Sequence, residues 1–421
     1  MSRLSVTFCA YDSPGNLGGP PSWMQRLLPL LRERGIECRV LFLLHRGTSG
    51  PTLSFLEADG FSCRAAPCHE TAQERIRWIL SELAKSPPDV FVPNLVVAGY
   101  YAARWVSRAG IPTVGILHSD DPFYDALRER FAAGSKRLRL SALVCVSREL
   151  EEQSRSLVPA SVEVRRIPYG VPVPRTPRRR DTSGLRLAYV GRLAEEQKRI
   201  TEQTRALCRV VREIPGTEAV LYGDGPDRRR MEAVLADEGK GLPVRWGGLI
   251  ESRHMQEILL GFDVLVLLSD YEGLPIAVLE AMACGVVPVC LRMRSGIPEL
   301  VEDGVSGIIV EDRGGTFTSA IQRLHDNPTL WATLSNNARL KIESGYSMAH
   351  CANEWAAFLR ERAQQNKKTN PIAIPRSIFL PTVHPALAGA DPRPAPFSAR
   401  IRHALIRSRM FAGKLKRAFR R

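Results

Sequence analysis

Two glutamates beside a predicted helix start form the strongest chemical signal in the sequence. They lie in the segment 271–285, directly after a short apolar run rich in branched residues that is typical of a buried parallel strand. Pro275 stands where a first helical residue is expected, and Gly285 stands where a helix ends. Glu272 is therefore predicted in the loop at the carboxyl end of a strand, and Glu280 on the helix that follows.

Open α/β sheets bind ligands at this kind of loop. The exposed amides of Leu274, Ile276 and Ala277 would provide a site for an anion at the helix start. Glu272 and Glu280 cannot hold a phosphate, but they are suited to accepting hydrogen bonds from hydroxyls, as on a sugar or a ribose. The alternative is that they are an ordinary surface glutamate and a glutamate on a helix face.

Two cations are predicted at the same edge of the sheet. Arg192 and Lys198 flank a loop that follows the apolar run ending at Val190. Such a pair can neutralise a diphosphate, and the arginine can bind it with two parallel hydrogen bonds. The alternative is that both are solvated surface cations.

Glycines mark three further loops at strand ends. Gly191 precedes Arg192, and Gly223 and Gly225 make a tight turn that permits close approach of a ligand. Near the start of the chain, Gly18 and Gly19 lie in a loop between a strand and a helix. The backbone after Trp246 could face a flat base.

The alternation of elements predicts two parallel, doubly wound sheets. We predict an N-terminal Rossmann-like domain over residues 1–170, a proline-rich linker over 171–184 and a second Rossmann-like domain over 185–345. A helix over 346–365 is expected to cross back to the first domain, and residues 366–421 form a basic tail containing prolines. Two such domains imply a cleft between them, which is a favoured ligand site.

The composition is that of a soluble globular protein. The chain has 421 residues, of which 44% are hydrophobic and 24% charged. No stretch is long and apolar enough for a membrane span, and the start lacks the layout of a signal peptide. The nine cysteines form no CxxC pair, which favours reduced thiols and a cytoplasmic location.

The positive charge is concentrated in the tail. Residues 366–421 contain 13 basic residues and one acidic residue, whereas the first 365 residues contain 46 basic and 43 acidic residues. Residues 398–421 carry nine basic residues, no acidic residue and an apolar face at helical spacing. This pattern suggests an anionic membrane surface as a partner. A solvated, disordered tail is the alternative, and no aromatic interleaving or recognised module supports binding to nucleic acid.

Residues 186–310 resemble the donor-binding domain of the family 4 (group 1) glycosyltransferases, which have the two-domain GT-B fold. The resemblance rests on motifs spread over these residues. The N-terminal half of the chain matches more loosely, through its glycine loop and short segments at 144–147 and 167–171. The C-terminal motifs are Gly191-Arg192 with Lys198, Gly223-Asp224-Gly225-Pro226, the segment Glu272 to Glu280, and Ser295-Gly296-Ile297-Pro298-Glu299 followed by Gly304 and Gly307.

The resemblance implies a role for each matching residue. Glu272 would bind hydroxyls of the donor sugar, and Glu280 the ribose. Arg192 and Lys198 would neutralise the leaving diphosphate, and His118 would lie at the reacting sugar. The remaining donor-binding positions implied are Gly18, Gly19, Gly191, Gly223, Gly225, Gly273, Leu274, Pro275, Ile276 and Ala277. The sequence departs from the family pattern at Arg199, Ser295 and Tyr169, where glycine, glycine and asparagine are more usual.

The sequence therefore predicts a retaining glycosyltransferase that moves a sugar from a nucleotide diphosphate donor to a hydroxyl of a glycan or lipid-linked acceptor, in cell-surface polysaccharide or lipopolysaccharide synthesis. Asp120 and Asp121 are adjacent rather than spaced as in an acidic metal motif, so a reaction without metal or other cofactor is expected. A nucleotide-sugar epimerase or hydrolase, or a non-catalytic GT-B scaffold, are the alternatives. A peripheral position on the inner face of the membrane would fit the tail.

Overall fold

The computed structural model describes residues 3–14, 19–44, 48–66, 71–180, 184–367 and 370–391. Within these residues all paired strands are parallel, and the strands form two separate groups along the chain. The strands of the first half are β1 (Leu4–Asp12), β2 (Ile36–Leu44), β3 (Ser62–Ala66), β4 (Val90–Val92), β5 (Val114–Leu117), β6 (Ala142–Cys145) and β7 (Glu163–Arg166). Those of the second half are β8 (Arg186–Val190), β9 (Glu218–Tyr222), β10 (Val244–Gly248), β11 (Val264–Leu267), β12 (Val287–Leu291) and β13 (Ile308–Val310).

Helices connect successive strands and cover both sheets. In the first half they are α1 (Gly19–Glu33), α2 (Pro51–Ala58), α3 (Ala72–Lys85), α4 (Val97–Arg108), α5 (Pro122–Arg128) and α6 (Arg148–Leu157). In the second half they are α7 (Glu195–Lys198), α8 (Ile200–Glu213), α9 (Arg228–Asp237), α10 (Met255–Leu259), α11 (Ile276–Ala283), α12 (Ile297–Leu300), α13 (Gly315–Asp326), α14 (Pro328–Gly345) and α15 (Met348–Gln364).

Both sheets reverse their strand order beside their first strand. The first half has the order β3-β2-β1-β4, and a bridge between Phe91 and Thr113 continues it into β5-β6-β7. The second sheet has the order β10-β9-β8-β11-β12-β13. Each reversal opens a crevice at the carboxyl ends of the strands, between β1 and β4 and between β8 and β11. The doubly wound α/β architecture expected from the sequence is confirmed.

Two edge strands are absent from the sequence-based prediction. Three of the five residues of β3 are exposed, and all four residues of β7, Glu163–Arg166, are only partly buried. A search for continuous apolar runs finds the buried central strands but overlooks edge strands of this kind, because one side of an edge strand faces solvent.

The chain crosses between the two halves twice, and the two crossings are paired. Val171 forms a parallel bridge with Ser347, and the amides of Val171 and Met348 donate to the carbonyls of Tyr346 and Val171 at 2.9 and 3.0 Å. After the second crossing, α15 packs against α1 of the first half. The ring centroids of Trp355 and Trp23 lie 5.5 Å apart, and both side chains are buried.

Part of the predicted tail is packed against the first half of the molecule. We call residues 370–391 the C-terminal strap. Its Leu387 is fully buried, the guanidinium of Arg130 donates to the Thr382 carbonyl at 2.7 Å, and the Tyr101 hydroxyl donates to Asp391 at 3.3 Å. The sequence predicts a basic tail containing prolines here and does not indicate packing against the first half. The amphipathic segment predicted at 398–421 lies outside the described residues.

No helix among the described residues combines the length and the apolar character that crossing a bilayer requires.

Candidate active site in the cleft

A buried ion pair lies at the centre of the second half's crevice. Lys198, at the end of α7, contacts the carboxylate of Glu272, which follows β11. The side chains are only 12% and 8% exposed, so their charges are little screened by water. Gln197 supports the loop by donating to the Tyr271 carbonyl at 3.0 Å and to Glu272 at 3.4 Å. The structure thus brings together a cation and a carboxylate that are far apart in sequence.

Free backbone donors stand next to this pair. α11 begins at Ile276, with Pro275 in an extended conformation (φ −71°, ψ 111°) just before it, so the helix starts one residue later than predicted. The backbone amides of Leu274, Ile276 and Ala277 donate no hydrogen bond to any residue in the described part of the chain. Unpaired amides at a helix start attract an anion. The helix start therefore lies next to Glu272 as predicted, and binding of an anion to these amides stays a prediction.

The two halves touch at Gly273, and glycine is required there. A Cβ on Gly273 would lie 2.2 Å from the His118 carbonyl oxygen, and the Gly273 carbonyl accepts from the Gly296 amide at 2.7 Å. Nearby, Gly19 begins α1 opposite the start of α11, where Ile276 Cδ1 is 3.2 Å from the position of a Cβ on Gly19. Gly18 lies outside the described residues.

The remaining cation of the predicted pair has a different environment from Lys198. Arg192 is exposed, and among the described residues no carboxylate lies within ion-pair distance of it. Burial raises the pKa of Tyr271 to about 12, and the nearby Arg192 opposes that rise. Arg192 is therefore placed beside the crevice with its guanidinium available to a ligand.

Arg199 explains a departure from the family pattern. Its backbone is left-handed (φ 48°, ψ 47°), joining α7 to α8. Glycine adopts this conformation without a steric penalty, whereas other residues incur one. The Arg199 side chain forms ion pairs with Glu202 and Asp270, which hold the loop that carries Lys198.

Three predicted glycines pack the loops at the ends of β8 and β9 against each other. Gly223 has φ +136°, and a Cβ there would meet the Gly191 carbonyl oxygen at 1.9 Å. A Cβ on Gly225 would lie 2.3 Å from the Leu193 carbonyl oxygen. Trp246 donates its indole N–H to the Gly223 carbonyl at 3.0 Å, and the Arg228 guanidinium lies 3.5 Å from the Trp246 ring centroid. These contacts form a rigid wall of the crevice.

Glu280 is paired with a residue from the other half, which the sequence analysis missed. Arg26 of α1 lies 2.5 Å from Glu280 Oε1 and donates to the Ser252 hydroxyl at 2.8 Å. Burial raises the pKa of Glu280, and Arg26 opposes that rise. Arg26 carries no local motif, and its partner is 254 positions away. Only the tertiary contact identifies it.

His118 has both ring nitrogens occupied. Nδ1 lies 2.5 Å from the Tyr169 hydroxyl, and Nε2 lies 2.6 Å from Asn94 Oδ1. Because an amide oxygen only accepts, Nε2 carries the proton and Nδ1 accepts from Tyr169. Burial lowers the pKa of His118 to about 3, so the ring is neutral at physiological pH. A contact with a sugar would require one of these hydrogen bonds to break. Asn94 and Tyr169 were not predicted as site residues.

Glu299 of the SGIPE motif joins the halves on the other side of the crevice. Its carboxylate accepts from the Arg148 amide at 2.6 Å, at the start of α6, and pairs with Arg166 at 3.1 Å. The neighbouring Ser295 accepts from the Ile297 amide at 3.0 Å, at the start of α12. Glu299 therefore positions the two sheets relative to each other.

The adjacent aspartates have structural partners. Asp121 accepts from the amides of Phe123 and Tyr124 at 3.0 and 3.2 Å and so begins α5, while Asp120 accepts from Gln153 at 3.1 Å. Across the described ranges, no group of three or more His, Cys, Asp or Glu side chains is arranged to hold a metal ion.

Two parallel sheets whose crevices face each other define the GT-B class, and solved structures support this assignment. A structure of Anabaena Alr3699/HepE in complex with UDP and glucose superposes with a TM-score of 0.66 at 16% identity, covering 85% of this chain and 99% of that chain. At this identity the likeness concerns the fold. The GT-B fold expected from the sequence is confirmed.

Sequence comparisons identify the family. Residues 17–175 match the model described as Glycosyltransferase Family 4, and residues 184–327 match the model described as Glycosyl transferases group 1. Together the two matches span both halves, and the chain belongs to the family 4 (group 1) glycosyltransferases.

Two curated relatives illustrate the similarity. The putative colanic acid biosynthesis glycosyltransferase WcaL of Salmonella typhimurium is 26% identical over 84% of this chain and 89% of its own length. Alpha-D-kanosaminyltransferase of Streptomyces kanamyceticus is 30% identical, but the match spans only 41% of this chain and 45% of that protein.

Proposed function

We propose that this protein transfers a sugar from a nucleotide diphosphate sugar to a hydroxyl of a glycan or lipid-linked acceptor, with retention of anomeric configuration. The observation that carries the proposal is the buried pair of Lys198 and Glu272 beside the free amides at the start of α11. These groups match the two parts of a sugar diphosphate. The cation and the backbone donors suit its phosphate oxygens, and the carboxylate suits its sugar hydroxyls.

The chemistry required of the site is stabilisation of the leaving group. As the bond between the sugar and the diphosphate breaks, negative charge grows on the phosphate. Lys198, Arg192 and the amides of Leu274, Ile276 and Ala277 would stabilise that charge without reorganising. Because these cations are supplied by the protein, we propose that the transfer needs no metal ion. Activity that persists in excess EDTA would support this, and activity lost and then restored by a divalent cation would refute it.

The carboxylates have separate roles in this proposal. Glu272, bonded to Lys198 and Gln197, binds hydroxyls of the donor sugar, and Glu280 binds the ribose after displacing Arg26. The sequence offers no convincing nucleophile of the enzyme, so we favour attack by the acceptor hydroxyl on the same face of the sugar. The similarity to WcaL, named for colanic acid biosynthesis, makes a cell-surface polysaccharide the product class that we favour.

A thermal-shift screen tests the donor site. Sugars carried by UDP, GDP, ADP and dTDP are each compared with the bare nucleotide, for the wild type and Arg192→Ala. A ligand that binds only the folded state raises its stability by about 2.7 kcal/mol at a hundredfold excess over Kd. We expect a shift for one base that is reduced in the variant, because no carboxylate among the described residues competes with a ligand for Arg192. The absence of any shift across the panel would reject the proposed donor site.

The basic tail is proposed to attach the enzyme to an anionic membrane. Nine cations in residues 398–421, at about 1 kcal/mol each near such a surface, would support reversible binding. Deleting these residues should release the protein from vesicles containing anionic lipid in a sedimentation assay, while sparing donor hydrolysis. Equal sedimentation of the truncated chain would remove this part of the proposal.

A further inference from the structure

A mostly apolar cavity of about 290 Å³ lies between the first half of the molecule and the C-terminal strap. Its wall includes Tyr11, Met24, Leu95 and Phe123 from the first half and Ala390 from the strap. The Tyr11 hydroxyl donates to the Ala390 carbonyl at 3.4 Å, which ties the strap to the end of β1. The strap is therefore a part of the cavity wall.

The cavity occupies the place where a ligand of the first sheet is expected. Tyr11 lies at the carboxyl end of β1, and Asn94 and Leu95 follow β4, so the cavity stands at the reversal between β1 and β4. Doubly wound sheets bind ligands at this crevice. Pro20 and Pro21 of the cavity wall follow Gly19, which faces the start of α11 across the cleft. The cavity thus adjoins the proposed donor site.

The backbone is strained at the cavity wall. Leu95 has φ +61°, in the left-handed region that residues other than glycine rarely adopt. Strain of this kind persists where the surrounding structure imposes it, and it clusters at binding sites. The turn at Leu95 follows Asn94, whose side chain is buried, accepts from His118 and also faces the cavity. An amide group is thus present at the boundary between the cavity and the cleft.

We propose that this cavity holds an alkyl group of the acceptor, beside the hydroxyl that receives the sugar. The inference rests on the proposed function and narrows its acceptor class to lipid-linked molecules. The wall is mostly apolar and its polar residues are Tyr11, Thr52 and Asn94, so most hydroxyls of a fully hydroxylated glycan would lack partners there, whereas an alkyl group would not need them. The strap, which contributes Ala390 to the wall, is followed in sequence by the basic segment 398–421, so attachment of that segment to a membrane would bring the cavity near lipid.

The test compares two probes that differ only in their alkyl chain. Methyl and n-octyl β-D-glucoside, the latter below its micelle concentration, are titrated by calorimetry into the full-length protein with nucleoside diphosphate present. Each buried methylene should tighten binding roughly fourfold, so the octyl compound should bind at least about tenfold more tightly. Equal binding of the two probes would overturn the proposal.

Two strap variants localise the effect. Ala390→Trp places a large side chain in the cavity and should abolish the preference for the octyl probe, whereas Ala388→Trp alters an exposed position of the same strap and should keep it. Phe123→Ala, which removes part of the wall without adding bulk, should weaken octyl binding several-fold. An unchanged preference in both cavity variants would overturn the proposal.

Further outcomes separate this inference from its alternatives. Tighter binding of a phenyl glucoside than of the octyl compound would show that the cavity prefers an aromatic group to an alkyl group. Octyl binding seen only after deletion of residues 398–421 would mean that the chain's own tail covers the cavity. Both outcomes overturn the proposal. The nucleotide thermal shift, measured on the same proteins, reports separately on the donor site, so failure of the proposed function is distinguishable from failure of this inference.

Discussion

Replacing Glu272 with glutamine is expected to lower the rate constant for sugar transfer by a factor of about 10² to 10³, the effect typical of losing one preorganised electrostatic contact. The substitution keeps the shape of the side chain but removes the charge that holds Lys198 and accepts hydrogen bonds from the sugar. Binding of the bare nucleoside diphosphate should be nearly unchanged, since Glu272 is assigned to the sugar and the phosphates are assigned to the two cations and the amides at the start of α11.

The measurement is steady-state transfer alongside calorimetry with the nucleoside diphosphate. Glu218→Gln is a matched control, because Glu218 pairs with Arg186 on the same half but is partly exposed and lies at the amino end of β9, away from the proposed sugar site. It should leave the rate within about twofold of the wild type, as expected for a partly exposed ion pair. If Glu272→Gln abolished nucleotide binding as well, the assignment of Glu272 to the sugar would be incorrect.

Removing Arg26 is expected to destabilise the free enzyme by about 3 kcal/mol, because it leaves a buried carboxylate without its cation. The Arg26 and Glu280 side chains are 16% and 6% exposed, so the pair lies largely out of water. Chemical denaturation of Arg26→Ala would measure the loss. Arg32→Ala is the matched control on the same helix, since the Arg32–Asp59 pair is 43% and 38% exposed and should contribute little.

The stability lost in Arg26→Ala should be greater at higher pH. Burial already raises the pKa of Glu280, and without the opposing Arg26 it rises further. A carboxyl whose pKa is raised in the folded state keeps a proton that the unfolded chain has released, so stability falls as pH rises above the ordinary carboxyl range. Arg26→Ala should therefore be more strongly destabilised, relative to the wild type, at pH 8 than at pH 5. A deficit that is the same at both values would contradict this account.

The same variant tests the role of Glu280. If the ribose displaces Arg26 as the partner of Glu280, nucleotide binding must break this ion pair in the wild type but not in Arg26→Ala. The variant should then bind the nucleoside diphosphate at least as tightly as the wild type. A large loss of affinity would instead show that Arg26 itself contacts the nucleotide.

The sequence predicted those parts of the structure that depend on local patterns. The central strands were recognisable as apolar runs, and the loop carrying Glu272 was recognisable from the strand before it and the helix signals after it. Arg199 was noted as a departure from glycine, and its left-handed backbone gives the reason that glycine is usual there. In these cases the physical cause lies within a few residues of the signal.

Contacts between distant segments were not predictable in this way. Arg26 meets Glu280, and Glu299 meets Arg148, only because the two sheets face each other. Tyr169 meets His118 because β5 and β7 belong to the same sheet of the first half. None of these residues has a neighbour in sequence that specifies its partner. The C-terminal strap was overlooked for a related reason. Its prolines indicate the absence of regular structure, but they do not reveal that Leu387 is buried against another part of the chain.

The paired crossings mean that the first half of the molecule is not a continuous piece of the chain. It comprises the residues up to about Gly170 together with α15 and the strap, which supply Trp355 and Leu387 to its packing. A fragment ended within residues 171–180 would expose the face of α1 that Trp355 covers, and would also lose the wall formed by Ala390. Separate expression of this half therefore calls for a circular permutant or a fusion that reconnects residues 346–391 to Gly170.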